Sequence, residues 1–224
     1  GRIRLQWWRD AVDGIYAGRP LRQGVVDALA AAVEQFGLSR RHFERVLDGR
    51  ALDLGDEPPA DADALIAYAE ATSASLSALA LEVLRIDDAA ARDAAREVAI
   101  AWALIGLLRA VPFHARARRL YLPAGLNREA GLDVFGLFDR GAADGLATVV
   151  EAVAAMAADH LSAARRRSHE VPVRALPVLM PATLADLYLR RLRASRFDPF
   201  DVRVQTAPPL RHWRLAVNRL RRRY

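Results

Sequence analysis

The chain contains no cysteine, which excludes disulfides and thiolate metal sites and suits a reducing compartment. Lysine is also missing, so all 33 basic residues are arginine. Together with the abundance of alanine, this reflects a GC-rich genome and leans towards a bacterial source. No uncharged apolar run reaches about 20 residues, so no membrane span is expected. The most apolar window, residues 98–108, is short and abuts Arg109. No signal peptide is evident. Gly1 opens directly onto an amphipathic run without an initiator methionine, so a preceding N-terminal portion is expected. The chain has no GxSxG, Walker or GxGxxG motif, and no stretch alternates with period two long enough to make a sheet.

What is present is helical periodicity and segregated charge. Residues 1–164 hold 18 arginines against 23 acidic residues, whereas residues 165–224 hold 15 arginines against 4. A basic end of this kind meets something anionic, such as lipid headgroups, nucleic acid or an acidic protein surface. Ile3, Trp7, Trp8, Ala11, Val12, Ile15 and Tyr16 form the apolar face of a first helix, which ends at the Gly18–Pro20 breaker. A second helix over residues 25–36 stops at Gly37. Ser39 N-caps a short third helix that ends at Asp48-Gly49. Residues 55–61 read as a loop, and Asp61 or Asp63 caps a long helix to about Ile86. Asp87 or Asp88 opens the next helix. Residues 134–138 are a short helix or a strand-like link. Residues 142–167, 182–194 and 210–224 complete one all-α domain spanning residues 1–224.

Several groups admit both a chemical and a structural reading. Asp88 and Asp93 are five apart, which does not put two carboxylates on one helix face, and capping explains them better than Mg²⁺. Asp10 and Asp13 are three apart and are read as solvated surface, with a metal or cavity role as the alternative. None of the five histidines, His42, His114, His160, His169 and His212, has ligand spacing or a paired carboxylate in sequence, so no zinc site is expected. His114 reads as a half-buried, hydrogen-bonded histidine beside a helix kink. In LRHWRLAVNRLRRRY, Leu210, Trp213, Val217, Leu220 and Tyr224 fall at steps of three and four among arginines. That stripe either packs on the domain or lies on an anionic surface, where Arg211, Trp213, Arg214 and Arg221 would dock. Nucleic-acid binding is not expected, because the arginines interleave with an apolar stripe more than with exposed stacking aromatics.

IRLQWWRDAVDGIYAGRP, FERVLDGRALDL, a helix centred on Tyr68, and LRAVPFHARARRLYLP followed by AGL occur in that order. Together they resemble the squalene/phytoene synthase family over nearly the whole chain. The resemblance implies an all-α isoprenoid synthase fold, here lacking its N-terminal helices. In such a fold two aspartate-rich helices bind Mg²⁺ and two prenyl diphosphates. The first of those helices would precede Gly1. The second should carry Arg-Asp followed four residues later by Asp. Arg109 matches the arginine, but Ala110 and His114 occupy the aspartate positions, and Ala103 and Gly106 stand where glutamine and asparagine usually do. Alanine offers no oxygen, and a lone imidazole is a poor Mg²⁺ ligand. Pro112 removes an amide donor and should bend the turn between positions 110 and 114.

Leu108-Arg109-Ala110, Pro112-Phe113-His114, Leu122-Pro123, HEVPVRALPVLMPATLADLYLRRL and FDPF are more similar to a non-catalytic branch of the family. That branch comprises the mitochondrial respiratory complex I assembly factor 6 and its bacterial relatives. The resemblance implies an assembly factor for complex I acting at a membrane surface. It would have no metal or cofactor, and its partner would be a complex I subunit or assembly intermediate. Tyr68, Arg109, His114, Arg116, Arg119 and Tyr121 are the candidates for a cavity or partner site, and a lipid or isoprenoid could occupy that cavity. The expected location is the bacterial cytoplasm, peripheral at the inner membrane, or the mitochondrial matrix face in a eukaryote. The alternative is an active prenyl diphosphate condensing transferase that uses Mg²⁺.

Overall fold

The computed structural model describes residues 1–224. Its helices begin and end largely where local chemistry directs. Helix α1 covers Arg2–Tyr16. Helix α2, Gly24–Phe36, stops where Gly37 takes the left-handed conformation (φ 66°) that a side chain disfavours. Helix α3 is Arg40–Ala51 and leads into a 3-10 turn at Leu52–Leu54. Asp61 caps helix α4, Ala62–Ala69, by accepting from the Ala64 amide. A π-helical turn at Glu70–Ala74 then joins α4 to α5, Ser75–Val83. Asp88 caps α6, Ala89–Arg116, by accepting from the Ala91 amide at 2.8 Å. That bond settles the capping role for Asp88.

Two short helices follow, α7 (Ala124–Glu129) and α8 (Val134–Arg140), then the long α9 (Leu146–Arg166). A 3-10 turn at Val173–Ala175 precedes α10 (Leu176–Leu179) and α11 (Pro181–Ala194). Helices α12 (Val202–Gln205) and α13 (Arg211–Leu220) end the chain. No strand is present.

The pairing of α6 with α9 is the centre of the fold. Val149, Val150, Val153, Ala154, Ala157, Leu161 and Ala164 form one buried stripe of α9 at steps of three and four. It meets an alanine-rich α6 in which Ala91, Ala94, Ala95, Ala99 and Ala101 are buried. Small side chains let the two helices approach closely, and Ile100, Leu104, Ile105 and Leu108 fill the space around them.

Three expectations need correction. Helix α3 does not stop at Gly49 but runs through it. Gly49 is buried there because a Cβ would come within 2.7 Å of Thr72 Cγ2 and 3.1 Å of Ala71 Cβ. Its glycine therefore serves close packing on the π-helical turn, not termination. Helix α9 starts only at Leu146, after Gly145 in the left-handed region (φ 77°). Third, Ala62–Val83, Ala89–Arg116 and Leu146–Arg166 are each long and apolar enough to cross a membrane. Counting only uncharged runs concealed this, because a few charged residues interrupt each segment. Here their apolar faces pack within the helical core.

Candidate functional site

Ala103, Gly106, Ala110 and His114 follow one another along α6 at steps of three and four, so they share one face. All four are half-buried, and a Cβ added at Gly106 would meet no atom within 4 Å. The face is thus open, lined by methyl groups and one imidazole. No carboxylate projects from it.

Beside His114 lies a polar cluster that joins three segments distant in sequence. Tyr121 stacks at a tilt on the His114 ring, with centroids 4.5 Å apart, and Tyr68 is 5.9 Å from Tyr121. Both tyrosines donate to the same oxygen, Asp53 Oδ1, at 2.8 Å from Tyr68 and 3.0 Å from Tyr121. Arg50 Nη1 donates to Asp53 Oδ2 at 3.0 Å and to the Tyr68 hydroxyl at 2.9 Å. Arg119 donates to the Gly55 carbonyl just beyond. Burial and the bond to Asp53 push the Tyr68 and Tyr121 hydroxyls above their ordinary range. Burial, reinforced by Arg119, holds the His114 imidazole below its usual value. His114 Nδ1 is buried without a hydrogen-bond partner, so the expected hydrogen-bonded histidine is instead an apolar-packed one.

Four of the six cavity candidates, Tyr68, His114, Arg119 and Tyr121, therefore come together. The other two do not join them. Arg109 points to the opposite side, its guanidinium carbon 3.8 Å from the centre of the Tyr188 ring. Its backbone carbonyl accepts from Gln205 Nε2 at 2.9 Å, so this arginine fastens α6 to the C-terminal segment. Arg116 is exposed in the last turn of α6. Asp53 and Arg50 were not singled out in the sequence although FERVLDGRALDL contains both. Their partners lie up to 68 residues away, and no local spacing reveals such a link.

The remaining carboxylates are engaged elsewhere. Asp10 accepts from Gln6 and Asp13 from Arg40, each at 2.8 Å on the surface. Asp87 pairs with Arg92, and Asp93 lies 3.8 Å from Arg167. Three histidines do have carboxylate neighbours, contrary to the sequence reading: His169 faces the adjacent Glu170 at 3.7 Å, and two more find theirs across the fold. His160 Nδ1 is 2.6 Å from Glu97, and His42 Nε2 is 3.6 Å from Glu82. Both partners come from other helices, which is why sequence spacing missed them. No three His, Asp or Glu side chains converge as a metal site.

The squalene/phytoene synthase family profile matches residues 1–221. The chain belongs to the squalene/phytoene synthase family. It is 32% identical over 224 residues to NADH dehydrogenase (ubiquinone) complex I, assembly factor 6 of Bos taurus, covering 100% of this chain and 67% of that protein. The corresponding Homo sapiens protein is 30% identical over the same span. A phytoene synthase of Cereibacter sphaeroides is 30% identical over 153 residues, which is 68% of this chain and 43% of the enzyme. Among solved structures, a dehydrosqualene synthase superposes with a TM-score of 0.81 at 18% identity, covering 95% of this chain and 76% of that one. Squalene synthase HpnC from Alicyclobacillus acidocaldarius gives 0.78 at 17%, covering 89% and 76%. The all-α isoprenoid synthase fold follows from these matches.

Within a squalene/phytoene synthase fold, the open face of α6 is where the second aspartate-rich motif is expected. The residues present do not fit Mg²⁺. Position 110 has no donor atom, His114 offers an imidazole nitrogen where Mg²⁺ takes oxygen and is packed on Tyr121, and Asp53 already accepts from two hydroxyls and a guanidinium. The family's fold is retained without that ligand pair.

Helix α13 packs only in part: Val217 of its stripe is half-buried, while its neighbours in the stripe on either side stand out. None of its residues is fully buried. Trp213 is 68% exposed, Leu220 83% and, just before the helix, Leu210 73%. Arg214 and Arg221 are exposed beside them, whereas Arg211 is half-buried. The helix is tethered to α11 next to Val217, where Asn218 Nδ2 donates to Thr183 Oγ1 at 2.9 Å. Tyr224 leaves the stripe altogether. It turns back so that its hydroxyl donates to the Ala164 carbonyl at 2.8 Å, while its own carbonyl accepts from Arg165.

Proposed function

We propose that the chain is a non-catalytic member of its family that assists assembly of respiratory complex I at an anionic membrane surface. The observation that carries this reading is the open face of α6. At the metal-binding position it offers Ala110 and His114, and the carboxylate beside it, Asp53, is held by Tyr68, Tyr121 and Arg50. Similarity to complex I assembly factor 6 across the whole chain supports a complex I subunit or assembly intermediate as partner. The partner-facing surface is then the former cavity mouth, with His114, Arg116, Arg119 and Tyr121, where a lipid or isoprenoid chain could lie along the half-buried methyl groups. Neither a metal nor another cofactor is needed. Helix α13 supports peripheral membrane contact, because Trp213 and Leu220 can enter the headgroup boundary while Arg214 and Arg221 meet anionic lipid. The location is the inner face of a bacterial inner membrane, or the mitochondrial matrix face in a eukaryote.

The test is to incubate the full-length protein with Mg²⁺ and farnesyl or geranylgeranyl diphosphate. No diphosphate release above a heat-killed control is expected, together with loss of complex I assembly on deletion of the gene. Mg²⁺-dependent release would instead favour a condensing prenyltransferase. The similarity to the Cereibacter sphaeroides enzyme is the observation on that side, and such an activity would have to draw its carboxylates from a segment preceding Gly1.

A further inference from the structure

A cavity of about 610 Å³ lies away from the altered motif, where α3, the π-helical turn, α5 and the start of α6 meet. Arg96 on its wall precedes Ala110 by fourteen residues, which places the two about 21 Å apart along α6. The floor is apolar, with Ala74, Ala78, Leu81 and Ile86, and the rim carries five arginines and four carboxylates.

The pairing of those charges is unequal. Each carboxylate has a partner within the protein. Glu70 accepts from Arg96, Asp87 pairs with Arg92, Asp93 faces Arg167, and Glu82 accepts from the Ser39 amide at 2.8 Å. Of the five guanidiniums, Arg41, Arg45 and Arg85 form no ion pair. Arg41 and Arg45 are four residues apart and share one face of α3, and Arg41 makes only a 3.4 Å contact to His42 Nε2. His42 lines the same wall, is 8% exposed, and leaves Nδ1 buried without a hydrogen-bond partner. A half-enclosed space of this size with an apolar floor is typical of small-ligand sites, and π-helical turns are frequent at functional positions.

We propose that this cavity binds a phosphomonoester whose anionic head pairs with Arg41, Arg45 and Arg85 while a small apolar body rests on Leu81 and Ile86. Guanidinium forks match the oxygens of a phosphate and hold it by charge-assisted bonds. Carboxylates already committed to other partners leave the cationic surplus available. The site does not depend on the assembly reading, because it shares no residue with the altered motif or with α13.

Phenyl phosphate titrated into the full chain by calorimetry tests the assignment. One-to-one saturation is expected, tighter than for inorganic phosphate. Arg41→Gln/Arg45→Gln should weaken binding about tenfold or more, whereas Arg128→Gln, an equal kind of charge removal on exposed α7, should leave it unchanged. Unaltered thermal unfolding of the variants shows that the fold is intact. Bound phosphate should also raise the His42 imidazole titration followed by NMR, because it adds negative charge to an environment now set by burial, Glu82, Arg41 and Arg45. Vesicles of phosphatidylcholine with phosphatidic acid distinguish the source. Displacement of phenyl phosphate by vesicles assigns a lipid headgroup, and its absence assigns a free ester. Failure of phenyl phosphate to saturate, or equal weakening by Arg128→Gln, overturns the proposal.

Discussion

Tyr68 donates its hydroxyl to Asp53 Oδ1 at 2.8 Å, which ties helix α4 to the 3-10 turn that follows α3. The same oxygen accepts from Tyr121. Replacing Asp53 with alanine therefore strands two half-buried hydroxyls and releases Arg50. A loss of about 2 kcal/mol is expected, with about 1 kcal/mol for Tyr68→Phe, which removes one hydroxyl and leaves Arg50 and Tyr121 on the carboxylate. Urea unfolding of both variants measures the pair. Equal losses would show that the carboxylate is not the hub.

Acid should weaken the fold through two histidines. Burial, then Arg119, depresses the folded-state titration of His114 below 6.5. Burial, against Glu82 and aided by Arg41 and Arg45, does the same for His42. The unfolded chain thus takes up protons first, so stability is fully present above about pH 6.5 and falls as pH drops through the depressed folded values. His114→Phe keeps the stacking on Tyr121 and should flatten that fall, as seen in unfolding midpoints between pH 7.5 and pH 5.

Restoring the missing oxygens tests the reading of α6. Ala110→Asp/His114→Asp puts two carboxylates four apart on an open helix face. Calorimetry should detect Mg²⁺ binding in the double variant and none at those positions in the parent. A variant as silent as the parent would mean that the local geometry, not only the side chains, has been lost.

Gly49→Ala would ordinarily help a helix, since alanine is the better helix former. Here the new methyl meets Thr72 Cγ2, and Thr72 is buried with its hydroxyl donated to the Tyr68 carbonyl at 2.7 Å. The clash should dominate and destabilise by about 1–2 kcal/mol. Thermal melts give the sign directly.

Trp213 and Leu220, the exposed members of the α13 stripe, separate docking from folding. Trp213→Ala/Leu220→Ala should leave unfolding nearly unchanged, because both side chains are in solvent. It should reduce co-sedimentation with anionic vesicles. High salt should release the parent protein from them, and equal binding to neutral vesicles would contradict the electrostatic component.

Local chemistry made most of the helices legible in advance. Gly37, Asp61 and Asp88 act at helix ends as their residue types suggest, and the altered motif at 110 and 114 was legible through the resemblance to the family. What escaped is nonlocal. Asp53 gains its meaning from Tyr68 and Tyr121, His160 from Glu97, and Gly49 from the turn packed against it. Periodicity also defined the stripe from Leu210 to Tyr224 without saying which way it faces. That depends on Asn218 reaching Thr183 and on Tyr224 turning back to Ala164.

Arg109 has one more implication. A guanidinium in the middle of an aspartate-rich motif is positioned for anions, yet here it clasps Tyr188 and its backbone receives Gln205. The long central helix is thereby buttoned to the arm that ends in α13. A change at this single side chain frees Tyr188 and the Val204 carbonyl together, so slack in that arm would originate in the heart of the bundle.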